Sequence, residues 1–158
     1  MIKVAILTIS DSCAQKKRQD ISGQTIKEIL PRDKFEICEY KVVADEQKDI
    51  ESELIHFADK LKADVVFTTG GTGLGPRDVT PEATTAVCQK IVPGLTETMR
   101  LEGLKKTKNA MLSRATAGVR GNTLIINLPG SPKAVRESLE IILDVLPHAL
   151  DMVCGRGH

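Results

Sequence analysis

Four short segments of this chain place hydroxyls, carboxylates and glycines side by side. They are Thr8-Ile9-Ser10-Asp11-Ser12, Ala44-Asp45-Glu46, Thr69-Gly70-Gly71-Thr72-Gly73-Leu74-Gly75 and Asn127-Leu128-Pro129-Gly130-Ser131. Glycines let a backbone curl its amides around a ligand and approach it closely. The last two segments share a design. Thr80 is followed by Pro81, and Ser131 by Pro132. Each pair reads as a capping hydroxyl with proline at the first helical position, where the missing N–H costs nothing. Each helix would then aim its free N–H groups and positive end at the loop before it. Two anion cradles at one edge suggest a phosphorylated ligand with two phosphate-bearing parts. The glycine run is not a Walker A loop, because no GK[ST] closes it. Nor is it GxGxxG, because Pro76 stands where the third glycine would fall.

Asp78 is the informative residue beside the glycine run. A bare carboxylate there would repel phosphate, at a cost of about 4 kcal/mol for like charges about 4 Å apart at an effective dielectric of about 20. A bound Mg²⁺ reverses the sign, because it takes oxygens from both carboxylate and phosphate. Asp45, from a neighbouring segment, offers a second carboxylate. The plain alternatives are caps, Asp78 for the helix after it and Asp45 for a helix over 47–61. Arg77, Arg100 and Arg114 have the geometry to grip anions, or to serve as salt-bridge partners.

These residues need elements to position them. Residues 2–9 form a nearly continuous apolar run, as in a parallel strand buried on both faces. The polar stretch after it reads as a loop, and 22–30 as a helix. Residues 35–43 alternate as a half-buried strand, and 47–61 carry Ile50, Leu54, Phe57, Ala58 and Leu61 at helical spacing. A short strand over 64–68 precedes the glycine run. Helices follow over 81–90 and 95–107, while 108–121 fits no pattern well. Residues 123–128 are apolar and β-rich. The stripe Val135, Leu139, Ile142, Leu143 and Leu146 then predicts a helix running to about 146, broken or kinked at Pro147. Strands alternating with helices predict an α/β fold, a mostly parallel sheet between helical layers. Ligands bind such sheets at the carboxyl ends of the strands, where all four segments fall.

Composition narrows the function. The chain has 158 residues, the size of one domain. Its 22 basic and 21 acidic residues leave a formal charge of +1, so an anion site must be local and no bulk nucleic-acid surface is expected. Aromatic residues are 3 % with no Trp, too few for a base-stacking platform. No apolar run is long enough to span a bilayer. The N-terminus has one Lys and meets Asp11 where a leader would need small residues, so it reads as a strand of a cytoplasmic protein. Cys13, Cys38, Cys88 and Cys154 lack the tight pairing of zinc ligands. Cys38 and Cys88 read as buried thiols and Cys13 as a loop residue with no His nearby. Cys154 and His158 have the spacing of half a metal site at the chain end.

The stretch GGTGLGPRDVTPEA, 70–83, resembles that of the MogA/MoaB-type molybdopterin adenylyltransferases. The resemblance extends to TISD at 8–11, DISG at 20–23, ADE at 44–46, PGLTETMR at 93–100 and LSRATAGVRGNTLIINLPGSPKAV at 112–135. It implies one molybdopterin-binding domain over 1–158, a three-layer sandwich, with no room for the extra domains of larger relatives. It implies transfer of AMP from Mg-ATP to the phosphate of molybdopterin with release of pyrophosphate, and no permanently bound cofactor. Asp78 and Asp45 match the family's two important aspartates, as catalytic and Mg²⁺-binding groups. Gly70, Gly71, Thr72 and Gly73 match the phosphate-binding loop; Thr8, Ser10 and Asp11 match the first-strand loop of the pocket. Pro129, Gly130, Ser131 and Pro132 match the loop that closes it. The resemblance also implies a homotrimer or hexamer and a downstream molybdenum-insertion enzyme that takes the product. Some MoaB-type relatives lack the catalytic aspartate, which makes a non-catalytic molybdopterin-binding or carrier protein the alternative.

Overall fold

The computed structural model describes residues 1–157. Its centre is a six-stranded sheet. In chain order the elements are β1 (Ile2–Ile9), a four-residue helix α1 (Asp11–Ala14), α2 (Ile21–Ile29), β2 (Phe35–Val43) and α3 (Gln47–Ile55). A π turn, His56–Lys60, prolongs α3. Then come β3 (Val65–Thr69), α4 (Thr80–Val87), β4 (Lys90–Ile91) and α5 (Pro93–Leu104). After a 3-10 turn (Lys108–Leu112) follow β5 (Ala117–Arg120), β6 (Thr123–Leu128), α6 (Pro132–Ile142), a second 3-10 turn (Leu143–Val145) and α7 (Leu146–Val153).

The sheet order is β2-β1-β3-β6-β5-β4. The first four strands are parallel, and β5 runs antiparallel to both its neighbours, β6 and β4. Side chains alternate between the two faces, as strand geometry requires. Val4 and Ile6 of β1 join one cluster with Ile26, Met99, Leu139, Leu146 and their neighbours, beneath α2, α5, α6 and α7. Ala5, Leu7 and Ile9 join the other with Ile50, Leu54, Phe57, Ala83 and Val87, beneath α3 and α4. Both faces of β1, β3 and β6 are therefore covered, which explains their unbroken apolar runs. The three-layer α/β sandwich is the architecture that the sequence predicts.

Several local expectations are corrected. Residues 108–121, which fit no pattern, supply the 3-10 turn and β5; Gly121 and Asn122 close the hairpin to β6. The stretch after β1 is not all loop, since Ser10 caps α1 by accepting from the Cys13 N–H at 3.3 Å. The helix predicted over 81–90 stops at Val87, and β4 follows. The helix predicted to 146 ends at Ile142. A proline ring clashes with the carbonyl four residues back, and for Pro147 that is Leu143, where the 3-10 turn stands. Cys38 is exposed rather than buried. β2 is an edge strand, and its pairing slips between Val4↔Ile37 and Ala5↔Glu39, so Cys38 is the extra residue of a bulge. Cys88 is half-buried at the end of α4, its thiol pushed up to about 11 by burial. His158 lies outside the described residues.

Candidate functional site

β1 is flanked by β2 on one side and β3 on the other, so successive connections leave it in opposite directions. A crevice opens at such a switch point. The register makes the strand ends level: Thr8 pairs with Thr69, Thr69 with Leu128, and Ile9 with Val43. The residues that follow each strand therefore meet at one edge. These are Ser10 and Asp11, Asp45, Gly70 onward, and Pro129 onward.

The glycine loop is held from behind through its carbonyls. Thr80 donates from Oγ1 to the Gly70 carbonyl at 2.9 Å and from its backbone N–H to the Gly71 carbonyl at 3.1 Å. Arg114 donates from its backbone N–H to the Thr72 carbonyl at 2.9 Å, from Nε to the Gly73 carbonyl at 2.8 Å and from Nη2 to the Asp78 carbonyl at 2.8 Å. N–H and C=O point oppositely in a trans peptide. Drawing the carbonyls inward therefore turns amides outward, and those of Gly71, Thr72, Gly73 and Leu74 have no protein acceptor among the described residues. Gly70 and Gly71 have φ of +96° and +70°, and a Cβ at Gly70 would collide with the Ile9 carbonyl. Only glycine fits there.

Three carboxylates gather at this loop. A Cβ on Gly71 would lie 3.3 Å from Asp45 Oδ1, and one on Gly73 2.9 Å from Asp78 Oδ2. Asp45 and Asp11 clasp each other. The Asp11 N–H donates to Asp45 Oδ2 at 2.8 Å, and the Asp45 N–H to Asp11 Oδ1 at 3.0 Å. Asp78 Oδ2 accepts from the Gly75 N–H at 2.9 Å. Neither aspartate caps a helix: the residue before α3 is Glu46 and the one before α4 is Val79. Burial first, then the charges of Asp11 and Asp78, push the Asp45 carboxyl above its ordinary range, against the pull of the Asp11 N–H and Arg77. The Arg77 guanidinium, seconded by the Asp45 N–H, holds Asp11 below it. Arg77 grips Asp11 with Nε and Nη2, each at 3.0 Å, and Glu46 with Nη1 at 2.8 Å.

The two predicted cradles differ. Ser131 caps α6 as expected, Oγ accepting from the Ala134 N–H at 3.2 Å, with Pro132 at the first position. Thr80 does not cap α4. It lies one residue inside the helix, which moves Pro81 to the second position and frees the hydroxyl to pin Gly70. α4 carries Glu82 in its first turn, paired with Arg114 at 2.8 Å, whereas α6 has no acidic residue there. The positive end of α4 is thus already met by protein charge, and that of α6 is not.

The crevice has neighbours that the sequence did not reveal. Asp20 caps α2 through the Gly23 N–H at 2.9 Å, and also accepts from Thr8 Oγ1 and the Tyr40 hydroxyl, each at 2.6 Å. Its place in the DISG segment, three residues before Gly23, was the signal for this. Arg100 donates to the Ser113 and Ala115 carbonyls. A hollow of about 440 Å³ opens between α5, the following 3-10 turn and α6. Met99, Arg100, Ser113 and Ala115 line it, and it shares Pro129 and Ser131 with the 129–132 loop. It flanks the carboxylates rather than containing them.

Residues 5–148 match the family described as "Probable molybdopterin binding domain". The chain belongs to this family. A protein of Helicobacter pylori strain J99 named molybdopterin adenylyltransferase is 45% identical over 156 residues, 98% of this chain and 89% of the relative. One of the same name from Escherichia coli K12 is 38% identical over 146 residues, 90% of this chain and 74% of that one. A crystal structure of the molybdopterin biosynthesis enzyme MoaB from Thermus thermophilus superposes with a TM-score of 0.93 at 54% identity, covering 98% of each chain. This chain is of the MogA/MoaB type within the family.

In this member of the family the residues expected at the site do converge. Thr8, Ser10, Asp11, Asp45, residues 70–73, Asp78 and residues 129–132 all lie along the one edge described above. A divalent cation fits the donor set. Asp45 Oδ1 and Asp78 Oδ1 accept no hydrogen bond from the protein among the described residues. No group of three or more acidic, His or Cys side chains makes a complete cage there among those residues. Two carboxylates with room for phosphate oxygens and water match the way Mg²⁺ is held at phosphate sites.

Proposed function

We propose that this protein is a molybdopterin adenylyltransferase that transfers AMP from Mg-ATP to the phosphate of molybdopterin. The observation that carries the reading is the pairing of outward-facing amides with free carboxylate oxygens on one glycine loop. Amides alone would make a phosphate binder. Carboxylates added to them make sense when a cation and a triphosphate arrive together. The relatives named molybdopterin adenylyltransferase support the substrate pair.

In the proposed reaction an oxygen of the molybdopterin phosphate attacks the α-phosphorus of ATP. The new P–O bond forms as the bond to the β-phosphate oxygen breaks, and pyrophosphate leaves with that electron pair. The nucleophile is already an anion, so no general base is needed. What the protein must do is align two repelling phosphates and oppose the charge on the leaving group. The amides of Gly71, Thr72, Gly73 and Leu74 grip phosphate oxygens. The 129–132 loop and the uncompensated end of α6 hold the second phosphate-bearing part. The hollow beside Pro129 and Ser131 offers a flat heterocycle apolar surface from Met99, Ala115 and Ile141, together with polar and charged partners such as Arg100, Lys106 and Glu137. Asp45 and Asp78 would hold Mg²⁺, whose charge offsets that of the triphosphate when it is bound. Ser10 and Asp11 line the β1 end of the pocket, and Thr8, buried beneath them, holds Asp20.

A homotrimer or hexamer, a cytoplasmic location and delivery to a molybdenum-insertion enzyme complete the reading. No described helix is long and apolar enough to cross a membrane. Leu101, Leu104, Met111 and Leu112, exposed on α5 and the turn after it, offer apolar surface for self-association. The test is direct. The protein with ATP, Mg²⁺ and molybdopterin should release pyrophosphate in step with adenylylated molybdopterin. Asp78→Ala should slow this about a hundredfold or more while molybdopterin still binds. A carrier would bind molybdopterin and release no pyrophosphate, and an unaffected Asp78→Ala would remove that residue from the mechanism.

A further inference from the structure

The 129–132 loop has its own device for aiming amides. Thr69 Oγ1 donates to the Pro129 carbonyl at 2.6 Å. Ser22 Oγ donates to the Gly130 carbonyl, also at 2.6 Å. Both donors are buried, at 1% and 8% exposure, and they come from opposite sides, β3 and α2. Among the described residues there are no cis peptide bonds, so each planar unit points its N–H away from its C=O. The Pro129 carbonyl shares its plane with the Gly130 N–H, and the Gly130 carbonyl with the Ser131 N–H. Two hydroxyls thus fix two successive peptide planes and send two N–H groups in the direction away from Thr69 and Ser22. Neither N–H meets a protein acceptor among the described residues. Gly130 and Ser131 are exposed, and a Cβ on Gly130 would sit 3.6 Å from Gly70 Cα. The aimed amides therefore stand against the glycine loop.

We infer that Ser22 and Thr69 are positioning residues, which orient the Gly130 and Ser131 amides as a fixed pair of donors for one phosphoryl group of the substrates. The inference rests on the functional reading above and extends it to two side chains that touch no ligand. Without the hydroxyls the peptide planes are free to rotate, and the donors must be ordered at the moment of binding.

The experiment uses the full chain with Ser22→Ala, Thr69→Val and Thr69→Ser, varying ATP and molybdopterin separately in steady-state kinetics. Thr69→Val and Ser22→Ala should each raise KM for the same single substrate about 3- to 10-fold, the worth of one hydrogen bond, and leave the other within about twofold. Thr69→Ser should restore the wild-type value. Unfolding midpoints recorded beside the kinetics separate this from a structural role. A lowered midpoint with both KM values unchanged would overturn the inference, as would a Thr69→Ser enzyme as impaired as Thr69→Val. If the wild-type chain turns over neither substrate, the functional reading fails on its own. Calorimetric titration with inorganic phosphate then decides the positioning role: weaker binding to both disabled variants supports it, and equal binding refutes it.

Discussion

The two loops that face each other across the sheet edge solve one problem with different chemistry. The glycine loop is held by a guanidinium beside one hydroxyl, since Arg114 binds the carbonyls of Gly73 and Asp78 with its side chain and that of Thr72 with its backbone, and Thr80 Oγ1 binds that of Gly70. The 129–132 loop is held by two neutral hydroxyls. The first loop stands among Asp11, Asp45 and Asp78 and needs fixed positive charge to offset them. The second has no carboxylate in the first turn of its helix, and the N-terminal end of α6 keeps its attraction for an anion. One loop is therefore suited to a cation-bridged phosphate and the other to a bare one.

Removing Arg114 should give the largest break in that contrast. Arg114→Ala deletes side-chain bonds to two loop carbonyls and the pair with Glu82. Charge-assisted hydrogen bonds are worth about 1.5–3 kcal/mol each, but this side chain is partly exposed and its ion pair is screened. A net loss of about 2 kcal/mol in denaturant unfolding is expected, with faster exchange of the amides at 80 and 114, which donate to the Gly71 and Thr72 carbonyls. Arg114→Lys should recover little of it, because an ammonium lacks the planar fork. A variant as stable as the parent would show that the loop holds itself.

A smaller effect tests the other loop. Ser131→Ala removes the α6 cap and should cost about 1 kcal/mol, read by thermal unfolding. If the α6 end serves an anion, added inorganic phosphate should stabilise the wild-type protein and the variant alike, because the free amides remain.

The smallest effect carries the opposite sign. Asp45 has its folded pKa raised above the ordinary value of 3.8, chiefly by burial. The folded state therefore holds its proton more tightly, and stability falls as pH rises from that value through the raised one. Asp45→Asn removes the cost while its amide oxygen still accepts from the Asp11 N–H. At neutral pH the variant should be more stable by less than about 1 kcal/mol, solvent screening having reduced the shift, and the gain should vanish near pH 3. It should also lose pyrophosphate release. A variant clearly less stable at neutral pH would contradict the account of a carboxylate held for function at a cost in stability.

What could be read from the chain itself was whatever depends on local order. The unbroken run of β1 announced a strand covered on both faces, the apolar segments of β3 and β6 announced further strands, and the spacing in α6 announced its buried stripe. The glycine run beside Asp78 announced a loop that presents backbone amides beside a carboxylate, and Ser131-Pro132 announced a true helix start. Thr80-Pro81 shows the limit of that method. The same two-residue signal was displaced by one position, because a hydrogen bond to Gly70 ten residues away took its hydroxyl. Ser22, Thr69, the Asp11–Asp45 clasp and the hold of Arg114 on the loop carbonyls were silent for the same reason. Their partners are between 34 and 108 residues distant in the chain. Pattern and propensity report the torsions of neighbours along the backbone, whereas the direction in which an amide points in this crevice is set by whichever donor the folded sheet brings up behind it.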